Sequence, residues 1–281
     1  MRLSLILRLF FTFWVIYLFH FTPYFCNSSR FVYVTMSLSE QCSVRVNPYY
    51  DTDKDLIVYK GHHYISTNPG MSFMAMPFWA TVYHLVYRWL PKTFFLSQET
   101  MHFLLAEFVS FASTSALYGA LTAVLLALFI HKRTQKLWRA LLGASLYAFG
   151  SIAFFFSTRF NQNIAIALCS FLMFVLIFEP EILPVRKRNI QLIILGFIMG
   201  LAIFIDLSII PFLLVISVPI LKRMLSLKDL GRIILGALGP IFALMVYLYL
   251  AFGSPFLPPQ AYLRGAYTIV FAGSHCPALS S

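Results

Sequence analysis

The sequence predicts an all-α integral membrane protein with about seven transmembrane helices and one further helix lying on the outer membrane surface. Composition points there first. Of 281 residues, 60% are hydrophobic, 17% aromatic and only 11% charged. A water-soluble domain needs more polar surface, and a disordered chain has far fewer apolar residues. Apolar runs of about 20 residues or slightly less recur along the chain, which is the length that crosses a hydrocarbon core. Short basic clusters sit between the runs, as they do in cytoplasmic loops. The formal charge of +11 therefore reads as membrane topology, and no nucleic-acid partner is expected.

The first apolar run is Leu9 to Phe25, led by Arg2 and Arg8. A cleavable signal needs small residues just before the cut. Pro23, Tyr24, Phe25 and Cys26 are poor fits, so residues 1–25 read as an uncleaved span with a cytoplasmic N-terminus. An external loop follows, residues 26–101. Residues 102–251 hold the further spans, expected at Phe108–Ile130, Ala140–Ser157, Ile164–Phe178, Ile190–Ile205, Ser208–Leu221 and Ile233–Ala251, and residues 252–281 form an external tail.

Counting crossings puts each basic cluster on the cytoplasmic side. The clusters are His131-Lys132-Arg133 with Lys136 and Arg139, then Arg186-Lys187-Arg188, then Lys222-Arg223 with Lys228 and Arg232. The count holds only if Met71–Leu90 stays out of the bilayer. That stretch carries Pro77, Trp79, Tyr83, His84, Tyr87, Arg88 and Trp89, a composition suited to the interface. The expectation is a surface helix over 71–90. Basic clusters flank Ile190–Leu221 at both ends, which requires an even number of crossings. Two short spans meeting near Asp206 satisfy this. Asp206 is then either a solvated turn residue or part of the lining of an outward cavity.

The polar chemistry gathers between Tyr50 and Trp79. Asn68 suits an N-cap and Pro69 the first helical position. Gly70 lets the backbone approach a ligand. A helix start of this kind exposes free amides and a partial positive charge, which makes it either an anion site or a merely well-capped helix. Asp51, Asp53 and Asp55 alternate, so an extended segment points all of them the same way. They can hold a divalent cation through oxygen, supply a general base, or form a solvated acidic loop. His62 and His63 are adjacent and cannot share a face of a helix or strand; either can hydrogen-bond a phosphate or simply sit at the surface. Cys26 and Cys42 share this loop and can pair in an oxidising compartment, and Asn27-Ser28-Ser29 fits a glycosylation sequon. There is no Walker motif, no H-E-x-x-H and no Cys spacing of metal type.

These residues carry a resemblance. Gly61-His62-His63-Tyr64, then Pro69-Gly70, Ser72-Phe73 and Pro77-Phe78, resemble the first outer loop of GT-C-type polytopic glycosyltransferases. The likeness is to bacterial relatives of the dolichyl-phosphate-mannose–protein mannosyltransferases and of the lipid A aminoarabinose transferase. Their loop follows the pattern D-x-x-x-x-x-G-H-Y-Y-S-D-K-A-P-G. Asp55 falls on its acid, Gly61 and His62 on its G-H, and Tyr64 on its second Tyr. Ser29-Arg30, Gly150-Ser151 with Phe156-Ser157-Thr158, Gly196 and Gly200 with Asp206, and Phe252-Gly253-Ser254-Pro255-Phe256 resemble later landmarks, so the likeness runs along nearly the whole chain.

The resemblance implies transfer of a sugar from a polyprenyl-phosphate donor to a lipid, glycan or protein acceptor at the outer face of a bacterial plasma membrane. It implies Asp55, then Asp53, as base, with Arg30, Lys60, His62, His63, Thr67 and Gly70 around the donor phosphate. A metal, if one is used, falls to Asp51, Asp53 and Asp55. Two positions depart from the pattern. Thr67 stands where the family has Lys, and Asn27-Ser28 stand where the better studied members have an Asp-Glu pair. The family also continues past a seventh span, which implies that this chain is an N-terminal portion of a longer protein. The competing expectation is a non-catalytic multispan protein that keeps the fold and binds a lipid or partner. A transporter is disfavoured, because the spans are nearly free of charge and show no internal repeat.

Overall fold

A computed structural model of the chain describes residues 1, 3–23, 29–47, 56–89, 97–183, 187–223 and 226–265. These are mostly helical and fall into two compact units, residues 1–22 with 111–243 and residues 23–110 with 244–281.

Small residues decide the packing of the first unit. It contains α1 (Leu3–Phe19), α5 (Ser115–Thr134), α6 (Leu137–Gly150), α7 (Ile152–Ser157), α8 (Gln162–Phe178), α9 (Arg188–Ile205) and α10 (Ile210–Arg223). Ala116, Ala120, Ala123 and Ala127 of α5 are fully buried, as are Ala140, Ala144 and Ala148 of α6. Alanines at helical repeats let two backbones approach closely, which is how helices associate when lipid gives Leu no reason to hide. The large residues of α6, Trp138, Leu142, Leu146 and Phe149, are exposed instead. Tyr17 of α1 donates its hydroxyl to the Ala148 carbonyl at 3.2 Å, and Trp14 donates its indole N–H to Ala112 at 3.0 Å.

α9 approaches α11 (Leu227–Phe252) more closely still. A Cβ on Gly196 would lie 1.9 Å from the Ile233 carbonyl oxygen, and one on Gly236 would lie 2.0 Å from that of Ile193. The two helices start side by side, where Arg188 and Arg232 both bond Asp229, at 2.8 and 2.7 Å.

Polar groups mark both ends of this unit. At one end Lys132 bonds Glu179 at 2.8 Å and Glu181 at 2.9 Å, and Arg133 also pairs with Glu179. The short link from the turn Pro180–Ile182 to α9 brings Arg188 and Asp229 to that same end. At the other end Ser115 and Asn161 exchange hydrogen bonds of 3.2 and 3.0 Å, Thr22 N–H reaches the Thr158 carbonyl at 3.0 Å, and Gln162 donates to Asp206 at 2.8 Å. The His131, Lys187 and Lys228 neighbourhoods therefore share one end, as the count of crossings requires.

The second unit is built on two parallel helices, α2 (Ser29–Gln41) and α3 (Gly70–Leu85). Ser72 donates to the Phe31 carbonyl at 2.8 Å, Ser39 to Met76 at 3.2 Å, and the Trp79 indole to Glu40 at 2.9 Å, so contacts advance together along both helices. A hairpin of β1 (Leu56–Tyr59) and β2 (His62–Ile65) joins them, in the register Leu56↔Ile65, Ile57↔Tyr64, Val58↔His63 and Tyr59↔His62. α4 (Gln98–Ser113) follows, and the C-terminal part of α11 belongs to this unit too.

Several sequence expectations need correction. The expected all-α class has an exception in the hairpin, and α2 lies where only loop is expected. Among the described residues three helical stretches, not about seven, are long and apolar enough to cross a membrane: Gln98–Thr134, Arg188–Ile205 and Leu227–Phe252. Leu3–Phe19, Gln162–Phe178 and Leu207–Pro219 are apolar but shorter, at 10–17 residues. Breaks account for part of the shortfall. Ser151, with φ −129° and ψ 172°, stops α6 and caps α7 by accepting from Ala153 N–H at 3.1 Å, which splits the expected span Ala140–Ser157. Thr114 marks the boundary of α4 and α5 inside the stretch Gln98–Thr134, which is still one of the three. The helix expected over 71–90 is α3, ending at Leu85, with a separate 3-10 turn at Tyr87–Trp89. Its N-cap position is Pro69, not Asn68. Asn68 is instead buried at 1% exposure, and no side chain caps the helix. Cys42 is an exposed free thiol, and Cys26 lies outside the described residues.

Candidate functional site

The parallel pairing of α2 and α3 sets two helix starts side by side. Each start leaves amides without intrahelical partners and carries a partial positive charge. Parallel neighbours place like partial charges together, an arrangement that an anion at the shared end relieves. Arg30, in the first turn of α2, lies at that end. Its guanidinium sits 5.0 Å over the Phe31 ring, and its Nη1 is 3.5 Å from the Ser66 hydroxyl. Ser66 and Gly70 are buried. The Thr67 hydroxyl oxygen is buried with no hydrogen-bond partner among the described residues. Thr67 follows Ser66 in the chain, and Gly70 opens α3.

The hairpin separates the other expected residues from that group. Lys60 and Gly61 form its tip with φ of 50° and 76°, the left-handed pair that a two-residue hairpin turn demands. Lys60 Nζ rests 5.3 Å over the Tyr59 ring. Strands of four residues set this tip about 13 Å from the base where Ser66 follows. Lys60 therefore lies a hairpin length from Ser66, whose hydroxyl Arg30 meets.

His62 and His63 sit on opposite faces of β2, as adjacent strand residues must. Asn47 latches both. Its Oδ1 accepts the His63 amide at 2.7 Å, which turns its Nδ2 toward His62 Nδ1 at 2.8 Å. The His62 Nδ1 is then an acceptor, and the ring proton belongs on Nε2. Tyr59 and Tyr64, on the His62 face, pack their rings 5.7 and 5.2 Å from Phe252 of α11, and Phe252 stacks on Tyr262 at 4.4 Å.

Asp51, Asp53 and Asp55 lie outside the described residues. Among the described residues no group of three or more His, Cys, Asp or Glu side chains is set to hold a metal ion.

Other acids escape the sequence reading. Glu40 is one. Its Oε1 accepts from the Trp79 indole and from His102 Nε2, both at 2.9 Å, and its side chain is 6% exposed. The His102 ring stacks on Tyr87 at 4.5 Å. Burial pushes the Tyr87 phenol above its ordinary range, a bond to Gln98 opposes that, and the Glu40 charge adds to it. Glu107 is fully buried in α4. The available signal was an acid inside an apolar run, which is costly and rarely idle.

Comparison of the chain with protein-family models, with curated proteins and with solved structures finds no match.

Proposed function

We propose that the chain is a membrane glycosyltransferase of GT-C type, moving a sugar from a polyprenyl-phosphate donor to a lipid, glycan or protein acceptor at the outer face. The observation that supports this most is the pair of helix starts meeting beside Arg30. When the sugar–phosphate bond breaks, charge develops on the departing phosphate. Fixed amides and a guanidinium stabilise that charge without reorganising. Arg30, Thr67 and Gly70 hold the donor phosphate, while His62, His63 and Lys60 border the hairpin side. Asp55, or else Asp53, takes the proton from the acceptor hydroxyl. If a divalent cation is used, Asp51, Asp53 and Asp55 supply its oxygen ligands.

In this reading the protein crosses a bacterial plasma membrane about seven times, the shorter apolar helices included, with its N-terminus in the cytoplasm. The gathering of basic clusters at one end of the first unit supports that orientation. α2, the hairpin and α3 then lie at the outer surface. Exposed Phe78, Leu85, Val86 and Trp89 support an interfacial placement of α3 and the turn after it. Thr67, in the position of the family Lys, favours a second reading in which the fold binds a lipid without catalysis.

Titrating a polyprenyl phosphate into the purified chain in nanodiscs, together with a transfer assay from the sugar-loaded donor, separates these readings. A charge-assisted hydrogen bond contributes about 1.5–3 kcal/mol, so Arg30→Ala should weaken binding by about tenfold or more. Asp55→Asn should keep binding and lose transfer. Binding untouched by Arg30→Ala sinks the site. Wild-type binding without transfer favours the second reading.

A further inference from the structure

We propose that α6 carries a binding site for an anionic phospholipid, at the end of the first unit where the basic clusters meet. The ion pairs at that end are already divided up. Glu179 and Glu181 are used by Lys132 and Arg133, and Asp229 by Arg188 and Arg232. Lys136 and Arg139 are both exposed and meet no acid within ion-pair distance among the described residues. They flank the first turn of α6 together with Trp138, whose ring lies 5.4 Å from the Arg139 guanidinium. Trp138 is itself 59% exposed. A tryptophan and two uncompensated cations at a helix start are the chemistry of a headgroup phosphate level.

The same face continues as an acyl track. Leu142, Leu146 and Phe149 follow Trp138 at helical spacing and are 51%, 59% and 40% exposed. From Trp138 to Phe149 the helix rises about 16 Å, close to one leaflet of a hydrocarbon core of about 30 Å. The opposite face is closed by Ala140, Ala144 and Ala148, and at its far end the track meets the first unit, where the Phe149 ring lies 5.5 Å from Phe13 and 6.2 Å from Phe154. Charge, aromatic anchor and track length together fit a single occupant: a phospholipid with a net negative headgroup whose chain lies along α6. This rests on the helices spanning a membrane and is independent of any transferase activity.

The test uses the full chain in a neutral detergent, titrated with dioleoyl-phosphatidylglycerol, with dioleoyl-phosphatidylcholine, or with glycerol 3-phosphate, and read by lipid-induced thermal stabilisation. Phosphatidylglycerol should stabilise more than phosphatidylcholine, and the difference should shrink as salt rises. Removing one cation near an anionic headgroup weakens binding about fivefold, so Lys136→Gln with Arg139→Gln should weaken it about thirtyfold. Leu142→Gln with Leu146→Gln should lower phosphatidylglycerol binding too, and Arg45→Gln, at an exposed residue of the second unit, should leave it unchanged. Equal responses to the two lipids overturn the proposal. So does glycerol 3-phosphate acting as well as the lipid, which makes this a free-anion site. If the double variant does not fold, the wild-type lipid preference and its salt dependence decide alone.

Discussion

Replacing Gly236 by Ala should separate two helices that now touch backbone to backbone. The new Cβ would lie 2.0 Å from the Ile193 carbonyl oxygen and 2.9 Å from the Phe197 nitrogen. Both are main-chain atoms of α9, so no side chain can swing aside. Carbon and oxygen in close contact sit about 3.3 Å apart, so the axes must part by roughly 1.3 Å. A gap of 0.5–1 Å already forfeits about a quarter to a half of each dispersion well along the seam. Overpacking typically costs about 1–3 kcal/mol, and a backbone clash belongs at the upper end, about 3 kcal/mol. For a chain of this size that lowers the melting temperature by about 6–12 °C. Gly231 provides the control on the same helix, since a Cβ there meets nothing within 4 Å and no proline follows it. Gly231→Ala should be neutral or stabilise by up to about 1 kcal/mol, because Ala is the better helix former. Circular dichroism melts of both variants in one detergent are the assay. A Gly236→Ala melt within about 1 °C of wild type, or equal damage from both changes, refutes the close approach.

The ion pairs and the buried carboxylate yield two further expectations. Glu179 is held below its ordinary value of 4.5, chiefly by the Lys132 hydrogen bond, with Arg133 adding to it. A carboxyl with a lowered folded pKa lends stability that is complete above the unfolded value and is lost as pH falls through the folded one. Wild-type melts should therefore drop on acidification below about pH 4.5 more steeply than those of Glu179→Gln, and superimposable profiles would exclude the pair. Trp79→Phe removes the indole donor to the nearly buried Glu40 carboxylate. It should cost about 1.5–3 kcal/mol in chemical denaturation, against a much smaller change for the exposed Trp89→Phe.

Much of the first unit was legible because lipid imposes simple rules. Basic clusters alternate with apolar runs, and the reversal at Asp206 follows from the even crossing count that its flanking clusters demand. Asp206 caps the turn it marks, accepting from Ser208 N–H at 2.9 Å. The breaks at Thr114 and Ser151 were not legible. No Pro or Gly breaks the chain at Thr114, and reciprocal bonds from Ser115 to Asn161, far along the sequence, stabilise it there. α2 escaped notice because Ser37, Ser39, Glu40 and Gln41 read as loop. In the fold Thr35 and Ser39 bond back to carbonyls four residues earlier, and α3 covers the rest. The hairpin was missed because its turn is Lys-Gly rather than the stronger Asn-Gly signal. Of the site, Arg30 meets Ser66, next in the chain to Thr67, and the strand register sets Lys60 a hairpin length away; neither follows from sequence spacing.

Single-cysteine labelling in sealed vesicles with a membrane-impermeant maleimide tests the arrangement of the first unit most directly. Cysteines placed at Ser4, Gln135 and Lys228 should all react from one side only, and cysteines at Thr22 and Ser208 only from the other. Labelling of positions 135 and 208 from the same side would contradict the membrane-crossing bundle.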